Sequence, residues 1–285
     1  MIDPVRRWPP PSERVKRLLR KGSSAEEQLR FQEAREHYAE ALRLEPSSPW
    51  CLSAMAGLLV RIGDYQEAIL LNRRILSLDP TDHSRWHGLG NLLFAFARRP
   101  SESVDAYRRA VELDPSNPAY HAGLVQALSV SGVHDEAIDH GRRMVADPTI
   151  RFVRESHDRA ALFEVYGNAL LRAGKAKDAV EAYRRAIEIE PSDDHRYALV
   201  RGLSAAGMHE EAIGLIEKLL QGGPEVVAVG NRAILYAHYG DVLRRAGRRK
   251  DAVDAYRRAL DLAPREPEAR SRAEKGLKEL GETNG

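Results

Sequence analysis

The sequence predicts an all-α protein made of stacked helical hairpins. The end of one short unit recurs as EALRLEPSS, RAVELDPSN, RAIEIEPSD and RALDLAPRE, which close at Ser48, Asn117, Asp193 and Glu266. The prolines in these ends keep a nearly constant interval, because Pro80 lies 34 residues after Pro46 and 35 residues before Pro115. Apolar residues recur at helical spacing within each interval, and no strand pattern occurs. A fixed period with two helices per unit predicts a stack of hairpins, whose function lies in the surface that the stack presents.

The third unit shows both helices of the hairpin most clearly. Its first helix carries apolar and small residues at helical spacing, namely Trp86, Leu89, Gly90 and Leu93. Its second helix carries Val104, Tyr107, Ala110 and Val111. The order of tryptophan, leucine, glycine and a large apolar residue, followed by an aromatic residue, alanine and proline, resembles the tetratricopeptide repeat. The resemblance covers nearly the whole chain and implies a right-handed α-α superhelix, which is a solenoid of stacked hairpins.

The resemblance divides the chain into an N-terminal extension, about seven repeats and a cap. The extension covers residues 1–14 and is rich in proline and arginine. The repeats are predicted at 15–48, 49–82, 83–117, 118–148, 160–193, 193–226 and 233–266. A charged segment with one apolar stripe predicts a capping helix and tail at 267–285. The extra residues at 149–159 and 227–232 are expected to lengthen the first helices that follow them.

Small residues mark the places where the helices must approach each other or end. Some glycines are expected to let the second helix pack closely on the first, at Gly22, Gly90, Gly167 and Gly240. Other glycines are expected to end the first helix in a left-handed turn, at Gly63, Gly132, Gly174, Gly207 and Gly247. Leu29 occupies this turn position in the first unit, which is degenerate and suits the end of a stack.

The N-terminal segment leaves two interpretations open. Residues 1–12 combine four prolines with Arg6 and Arg7, a composition that favours an extended chain. Trp8 either anchors this segment on the first hairpin or belongs to a disordered terminus. Its position at a chain end favours disorder.

Composition predicts a soluble, cytoplasmic scaffold. The net charge is only +2 although 30% of the residues are charged, which argues against a protein specialised for nucleic acid. The single cysteine, Cys51, cannot form an internal disulfide, and the start MIDPVRRWPPP lacks the apolar core of a secretory signal. No stretch is apolar enough to span a bilayer. We therefore expect no nucleic-acid partner and no membrane insertion.

Arginine pairs recur at one place in the second helix of five units. They lie at residues 73–74, 108–109, 142–143, 184–185 and 257–258. When stacked, they would form a basic stripe on the outer face. An acidic residue precedes the second arginine by four positions in Asp105–Arg109, Asp139–Arg143, Glu181–Arg185 and Asp254–Arg258. Such pairs stabilise a surface helix, so we expect a neutralised and solvated face.

The sequence predicts no catalytic site, cofactor or metal site. His83 and His87 lie one helical turn apart, but no third ligand stands at a useful spacing. His83 falls at a helix start, where a surface or capping role is expected. No glycine-rich phosphate loop follows a strand. We therefore expect the chain not to be an enzyme.

The inner groove of the stack is the predicted binding surface, because the first helices of tetratricopeptide repeats line the concave face. One groove position recurs as Ser23, Gly57, Asn91, Gln126, Asn168, Arg201 and Asp241. The amide side chains at Asn91, Gln126 and Asn168 can both donate and accept hydrogen bonds, so they are predicted to hold the backbone of an extended peptide. The surrounding side chains predicted to give specificity are His87, Phe94, Glu164, Leu171, Tyr197 and His238. Two arginines, Arg201 and Arg244, are predicted to meet an acid of the partner. The alternative is that all these positions are simply tolerated in solvent.

The leading functional hypothesis is a non-catalytic adaptor that binds an extended peptide segment of a protein partner. Two alternatives stay open. The chain could be the recognition part of an enzyme of the glycosyltransferase, sulfotransferase or hydroxylase type. It could also be a homo-oligomeric scaffold that assembles through its end units or its Trp8 segment.

The resemblance also bears on the kind of peptide. Relatives that serve as chaperone adaptors grip a terminal carboxylate with lysine, asparagine and arginine on three consecutive first helices. Here His87 and Asn91 are followed by Gly123, Ala161 and Val165 at the required places. Internal extended segments are therefore expected, rather than the C-terminal tails of heat-shock chaperones.

Overall fold

The computed structural model describes residues 8–149, 155–221, 229–262 and 266–282. Every regular element in these residues is a helix, which confirms the all-α prediction. The helices are α1 (Glu13–Glu27), α2 (Phe31–Leu44), α3 (Pro49–Ile62), α4 (Tyr65–Leu78), α5 (His83–Asn91), α6 (Pro100–Leu113), α7 (Pro118–Val130), α8 (His134–Ala146), α9 (Glu155–Arg172), α10 (Ala176–Ile189), α11 (Asp193–Ala205), α12 (His209–Gln221), α13 (Val229–Arg245), α14 (Arg249–Leu262) and α15 (Pro267–Glu279). A π-helical segment, Leu92–Phe96, continues α5.

The helices pack in chain order within two units. The first unit contains residues up to Val133 together with 148–151, and the second contains 134–147 together with 152–285. In the first unit α1 packs on α2, α3 on α4 and α5 on α6, while α3, α5 and α7 each also pack on the helix that precedes them. In the second unit the same pattern runs from α8 to α15, and α15 packs on both α13 and α14. The predicted repeat boundaries remain predictions, although α9 and α13 begin ahead of residues 160 and 233, as expected from the extra residues before them.

A tyrosine on the second helix fixes the spacing of neighbouring first helices. The ring of Tyr107 packs so closely that a Cβ added to Gly90 of α5 or Gly123 of α7 would lie 2.7 or 2.5 Å from it. Real Cβ atoms do not approach other atoms this closely, so only glycine fits. The same contact recurs for Tyr38 with Gly22, for Tyr183 with Gly167 and Gly202, and for Tyr256 with Gly240 and Gly276. The predicted close approach is confirmed at Gly22, Gly90, Gly167 and Gly240.

The turns between paired helices use the left-handed backbone that the sequence predicts. Gly63, Gly132, Gly174, Gly207 and Gly247 all have positive φ, between 76° and 85°. Leu29 and Arg98 take the same position with φ of 57° and 54°, although their side chains disfavour it. The sequence pattern correctly placed the turn of the first unit at Leu29, and it did not identify Arg98.

The third hairpin contains one more residue than its neighbours before the turn. After most turns the next backbone N–H donates to a carbonyl five residues back, as from Asp64 to Leu59 and from Lys175 to Leu170. In the third hairpin Arg99 donates to Leu93, which is six residues back. The π-helical segment Leu92–Phe96 therefore absorbs the extra residue inside the helix.

The segment from Trp8 to Ser12 lies against the first two hairpins, so the expectation of disorder was wrong for these residues. The Trp50 indole N–H donates to the Pro9 carbonyl at 3.3 Å. The Ser12 backbone N–H donates to Glu45 Oε1 at 2.9 Å. Residues 1–7, which include Arg6 and Arg7, fall outside the described part of the chain.

The arginine pairs are neutralised, but not by the predicted partners four residues away. The first arginine of a pair contacts an acid three residues earlier, as Arg142 does with Asp139 at 3.2 Å, or reaches the next hairpin, as Arg73 does with Glu102 at 3.2 Å. The second arginine reaches forward by three residues in Arg109–Glu112 and Arg185–Glu188. The face is solvated as expected and neutralised in large part, because within the described residues Arg74, Arg143 and Arg258 form no ion pair; the pairing geometry is a correction.

Candidate peptide-binding groove

The predicted groove residues all lie on first helices, and these helices contact one another within each unit. In the first unit α1 contacts α3, and α5 contacts α7. In the second unit α9 contacts α11, and α13 contacts α15. The candidate surface therefore has a part in each unit, and each part can be described from its own residues.

In the first unit the groove positions are neutral and mostly accessible. Asn91 and Gln126 are exposed on α5 and α7, whereas His87 and Phe94 are half-buried. Phe94 lies within the π-helical segment. The structure thus brings an imidazole, two amides and an aromatic ring together on the first helices of this unit.

Histidine and tyrosine side chains form a cluster beside Asn91. His83 Nδ1 lies 2.8 Å from the Tyr120 hydroxyl oxygen. The His87 ring is tilted against Tyr120 and Tyr107, with ring centroids 4.9 and 5.8 Å apart. Burial lowers the pKa of His87, so this imidazole is neutral at pH 7. The two histidines serve packing and hydrogen bonding here, and no group of three metal-binding side chains converges within the described residues.

A tyrosine hydroxyl fixes the recurring groove position in three hairpins. Tyr107 donates to Asn91 Oδ1 at 2.8 Å, and Tyr183 donates to Asn168 Oδ1 at 2.9 Å. Tyr256 donates to Asp241 Oδ1 at 2.7 Å. We name Asn91, Asn168 and Asp241 the tyrosine-bound set. Burial raises the pKa of Tyr107 and Tyr183 to about 12, so both hydroxyls stay protonated and available as donors.

The tyrosine-bound set refines the predicted amide ladder. The carbonyl oxygens of Asn91 and Asn168 each already accept a hydrogen bond within the protein, whereas the NH₂ group of each side chain keeps its donor capacity. Asn168 Oδ1 also lies 3.5 Å from Arg201 Nη2. Gln126 is exposed and makes no such tyrosine contact in the part of the chain that the structure describes. The three amides therefore do not form one uniform ladder.

In the second unit the groove positions carry charge. Asp241 Oδ2 accepts from Arg272 Nη1 at 2.9 Å, and Arg272 lies on the cap helix α15. The Tyr197 and His238 rings meet edge to face, with centroids 5.2 Å apart. Burial, aided by the positive charge of Arg272, lowers the pKa of His238 to about 4. His238 is therefore a neutral ring inside a charged surface.

Two of the predicted groove side chains in this unit, Arg244 and Glu164, already contact a side chain of opposite type within the protein. Arg244 Nη1 lies 3.1 Å from Glu279 Oε2 of α15. Glu164 Oε2 lies 2.9 Å from Nδ1 of His195, a buried residue of α11. Leu171 and Tyr197 are half-buried and pack against the core of the unit. Of the two arginines predicted to meet an acid, Arg201 contacts the Asn168 amide, whereas Arg244 contacts a carboxylate.

Sequence reasoning missed several residues that shape this surface. Tyr120 contacts both histidines in the first unit, and Arg272 pairs with Asp241 in the second. A signal for the tyrosine-bound set was present, because a tyrosine follows Asn91 by 16 residues and follows both Asn168 and Asp241 by 15. Arg272 gave no comparable signal, because it lies on a cap helix whose register no repeat defines.

Comparison with known families identifies the repeats. Models described as tetratricopeptide repeat match residues 25–93, residues 89–149, 151–194 and 166–227, and residues 235–270. None of the helices described is long and apolar enough to cross a lipid bilayer. Tetratricopeptide repeats bind protein partners and are generally non-catalytic interaction modules.

Curated relatives align with part of the chain. The small glutamine-rich tetratricopeptide repeat-containing protein 2 of Mycosarcoma maydis is 32% identical over 105 residues, which is 36% of this chain and 26% of that protein. The Hsp70-Hsp90 organizing protein of Triticum aestivum is 30% identical over 107 residues, which is 38% of this chain and 18% of that protein. The chain therefore spans about a quarter or less of the length of these two relatives.

Solved structures show the same fold over more of the chain. A tetratricopeptide repeat protein from Parabacteroides merdae superposes with a TM-score of 0.65 at 15% identity, covering 93% of this chain and all of that one. At this identity the likeness concerns the fold alone. The family matches at residues 25–93, 89–149, 151–227 and 235–270 show that the chain belongs to the tetratricopeptide repeat family.

Proposed function

We propose that the chain is a non-catalytic adaptor whose groove binds an extended peptide segment of a protein partner. The observation that carries this proposal is the tyrosine-bound set. Each tyrosine hydroxyl donates to an oxygen at the groove position, and Asp241 offers only oxygens there. The equivalent asparagines then direct their NH₂ groups away from the tyrosine.

An NH₂ group held in this way is a fixed donor for a peptide carbonyl. An extended peptide leaves its backbone carbonyls unpaired, so it can accept such bonds whatever its side chains are. The tyrosine contact restricts the amide before the peptide arrives, which reduces the entropy lost on binding. His87 and Phe94 in the first unit, and Tyr197 and Arg201 in the second, supply the neighbouring surface for side chains.

The proposal includes location and class of partner. We place the adaptor in the cytoplasm, in keeping with a chain whose single cysteine, Cys51, is buried and free. The partner is a protein, because repeats of this family bind proteins. An internal segment is proposed because no lysine, asparagine and arginine set for a terminal carboxylate lies along consecutive first helices.

The test replaces the amide donor without removing the tyrosine's acceptor. Asn91→Asp with Asn168→Asp keeps an oxygen for each tyrosine, as Asp241 does naturally, and removes each NH₂ group. We expect binding on an array of extended peptides to weaken by about tenfold, the size of one or two lost hydrogen bonds. Circular dichroism and thermal unfolding should stay close to wild type.

A matched control separates binding from structure. Tyr107→Phe with Tyr183→Phe leaves both amides in place and removes only the hydroxyls that orient them. We expect a smaller loss of binding in this variant than in the double aspartate variant. Peptide binding that is unchanged by the aspartate pair would remove the tyrosine-bound set from the mechanism and sink the proposal.

A further inference from the structure

The N-terminal end of the first unit carries a second surface that lies outside the groove. A cavity of about 670 Å³ is lined by Trp8, Pro9, Pro10, Pro11, Lys16, Leu19, Arg20 and Trp50. We name these residues the tryptophan-proline cavity. Its walls are two indole rings, three proline rings and a leucine, and the charged side chains that line it, Lys16 and Arg20, are both cations. Trp50 is 37% exposed, which is high for so large an apolar side chain.

The cavity is held in place at both ends of the proline run. Trp50 donates its indole N–H to the Pro9 carbonyl at 3.3 Å, and the Ser12 N–H donates to Glu45 at 2.9 Å. Proline fixes φ, so the run between these two bonds has little freedom to collapse into the cavity. The bond from Ser12 also occupies Oε1 of the Glu45 carboxylate. The space between the two indoles is therefore a preformed site for an apolar side chain.

The rim of the cavity is basic. The start of α1 reads ERVKRLLRK over residues 13–21, which places five cations beside one acid, Glu13. Glu13 forms an ion pair with Lys16 at 2.6 Å, and Arg14 forms one with Glu40 at 3.5 Å. The three others, Arg17, Arg20 and Lys21, are exposed and make no ion pair within the described residues.

This group of unpaired cations on one helix contrasts with the arginine pairs on the second helices. Seven of those ten arginines contact an acid, as in Arg109–Glu112 and Arg184–Glu211, and the three others, Arg74, Arg143 and Arg258, lie on three different helices. Beside the cavity, Arg17, Arg20 and Lys21 are available to pair with an acidic ligand. Charge complementarity therefore selects an acidic partner, and the apolar walls require that partner to carry a large apolar side chain.

We propose that the tryptophan-proline cavity binds an acidic segment of a partner protein through one aromatic or large aliphatic anchor. The anchor lies between Trp8 and Trp50, and carboxylates on either side of it meet Arg20 and Arg17. This site works separately from the groove, so an adaptor built in this way holds two protein segments at once. If the groove variants keep full peptide binding, the groove proposal fails, and the proposal for this second site is unaffected.

The experiment measures binding of a labelled synthetic peptide of aspartate and glutamate with one central phenylalanine. Full-length protein is titrated by fluorescence anisotropy, with alanine replacing phenylalanine in one control peptide and lysine replacing the acids in another. We expect measurable binding of the first peptide only, and a steep loss of affinity as salt is added, because the pairs are exposed. Absence of binding by the first peptide overturns the proposal.

Variants assign the binding to this surface. Arg17→Glu with Arg20→Glu should weaken the peptide by about tenfold or more, because attraction becomes repulsion. Arg74→Glu with Arg258→Glu changes the net charge equally at exposed sites elsewhere and should have little effect. Trp50→Ala removes one wall, whereas Trp50→Phe keeps an apolar wall without the bond to Pro9 and should bind better than Trp50→Ala. Equal binding by all four variants overturns the assignment.

Two further measurements exclude other occupants. Vesicles containing phosphatidylserine are tested in a flotation assay, and sedimentation is run across a range of protein concentrations. Binding to vesicles without binding to the acidic peptide would assign the surface to an anionic membrane instead. Self-association that Trp50→Ala abolishes would assign the cavity to a second copy of the chain. Either result overturns the proposal.

Discussion

The two units present different chemistry on the same framework. In the first unit the groove positions are neutral, with Asn91 and Gln126 beside an aromatic and imidazole cluster. In the second unit Asp241 and Arg272 form an ion pair beside a buried, neutral His238. Both units use a tyrosine packed against glycine to set the helix spacing. The spacing contact and the groove residue are neighbours in sequence and share one tyrosine, whose ring packs on the glycine and whose hydroxyl donates to Asn91, Asn168 or Asp241.

The first prediction tests whether both units depend equally on the shared spacing contact. Gly90→Val in the first unit and Gly240→Val in the second place a side chain where even a Cβ would lie 2.7 and 2.5 Å from a tyrosine ring. We expect each variant to lose about 3 kcal/mol of unfolding free energy, because overpacked helices must separate. Urea unfolding followed by circular dichroism measures the loss.

Open helical glycines provide the control for this prediction. A Cβ added to Gly57 or Gly88 would meet nothing within 4 Å. Gly57→Ala and Gly88→Ala should therefore raise stability slightly, by about 0.5 kcal/mol, because alanine favours the helix. A loss of stability in these controls equal to that of the valine variants would show that the tyrosine contact is not the cause.

The second prediction concerns the buried histidine of the second unit. The pKa of His238 falls from 6.5 to about 4 on folding, so the unfolded chain takes up this proton first as the pH drops. Above about pH 6.5 His238 is neutral in both the folded and the unfolded chain. As the pH falls toward 4, the unfolding free energy decreases, by about 2–3 kcal/mol in full. His238→Phe keeps a ring beside Tyr197 and should reduce the loss of stability in this pH range.

Acidic side chains also titrate in this range, so the comparison is between the two proteins. Urea unfolding of wild type and His238→Phe is measured at several pH values from 7 down to 4. The difference in unfolding free energy between them should change with pH in the stated direction. Parallel curves would show that His238 takes up its proton equally easily in the folded and unfolded chains.

The third prediction concerns turns that differ between the units. All three turn residues at 174, 207 and 247 in the second unit are glycines, whereas the first unit places Leu29 and Arg98 at positive φ. Leu29→Gly and Arg98→Gly should each stabilise the protein by about 1 kcal/mol, because glycine avoids the steric cost of the left-handed backbone. Thermal unfolding of the single and double variants measures this gain. A decrease would mean that the lost side-chain contacts outweigh the backbone strain.

Much of the framework could be predicted from the sequence because it depends on local pattern. Helical spacing of apolar residues fixed the fold class, and the turn glycines identified where first helices end. The spacing also identified Gly22, Gly90, Gly167 and Gly240 as close-contact positions. It missed Gly123, Gly202 and Gly276, which contact the same tyrosines from the following helix. Those contacts depend on how one hairpin stacks on the next, and the local pattern does not contain that relation.

The groove was predicted less completely, for a related physical reason. The recurring position was correctly placed on the first helices, but its hydrogen-bond partners lie on other helices. Asn91 and Asn168 bind tyrosines of their own hairpins, and Arg244 is paired with Glu279 of the cap. These contacts decide which donors and acceptors remain free. Side-chain type alone therefore overestimated the hydrogen-bonding capacity that the amide ladder offers to a peptide. The peptide-binding role of the groove residues stays a proposal.

The extra residue of the third hairpin also affects how repeats of this kind should be aligned. The bond from Arg99 to Leu93 places the insertion after Leu93 and within the helix, ahead of the turn at Arg98. An alignment that places the gap in the loop would treat the helix as ungapped. The last turn of this helix would then be shifted by one residue relative to the other repeats. For homologues of this chain, the gap belongs between residues 93 and 98. With that placement, Asn91 aligns with Asn168 and the turn residue Arg98 aligns with Gly174, so side chains compared between repeats occupy the same face.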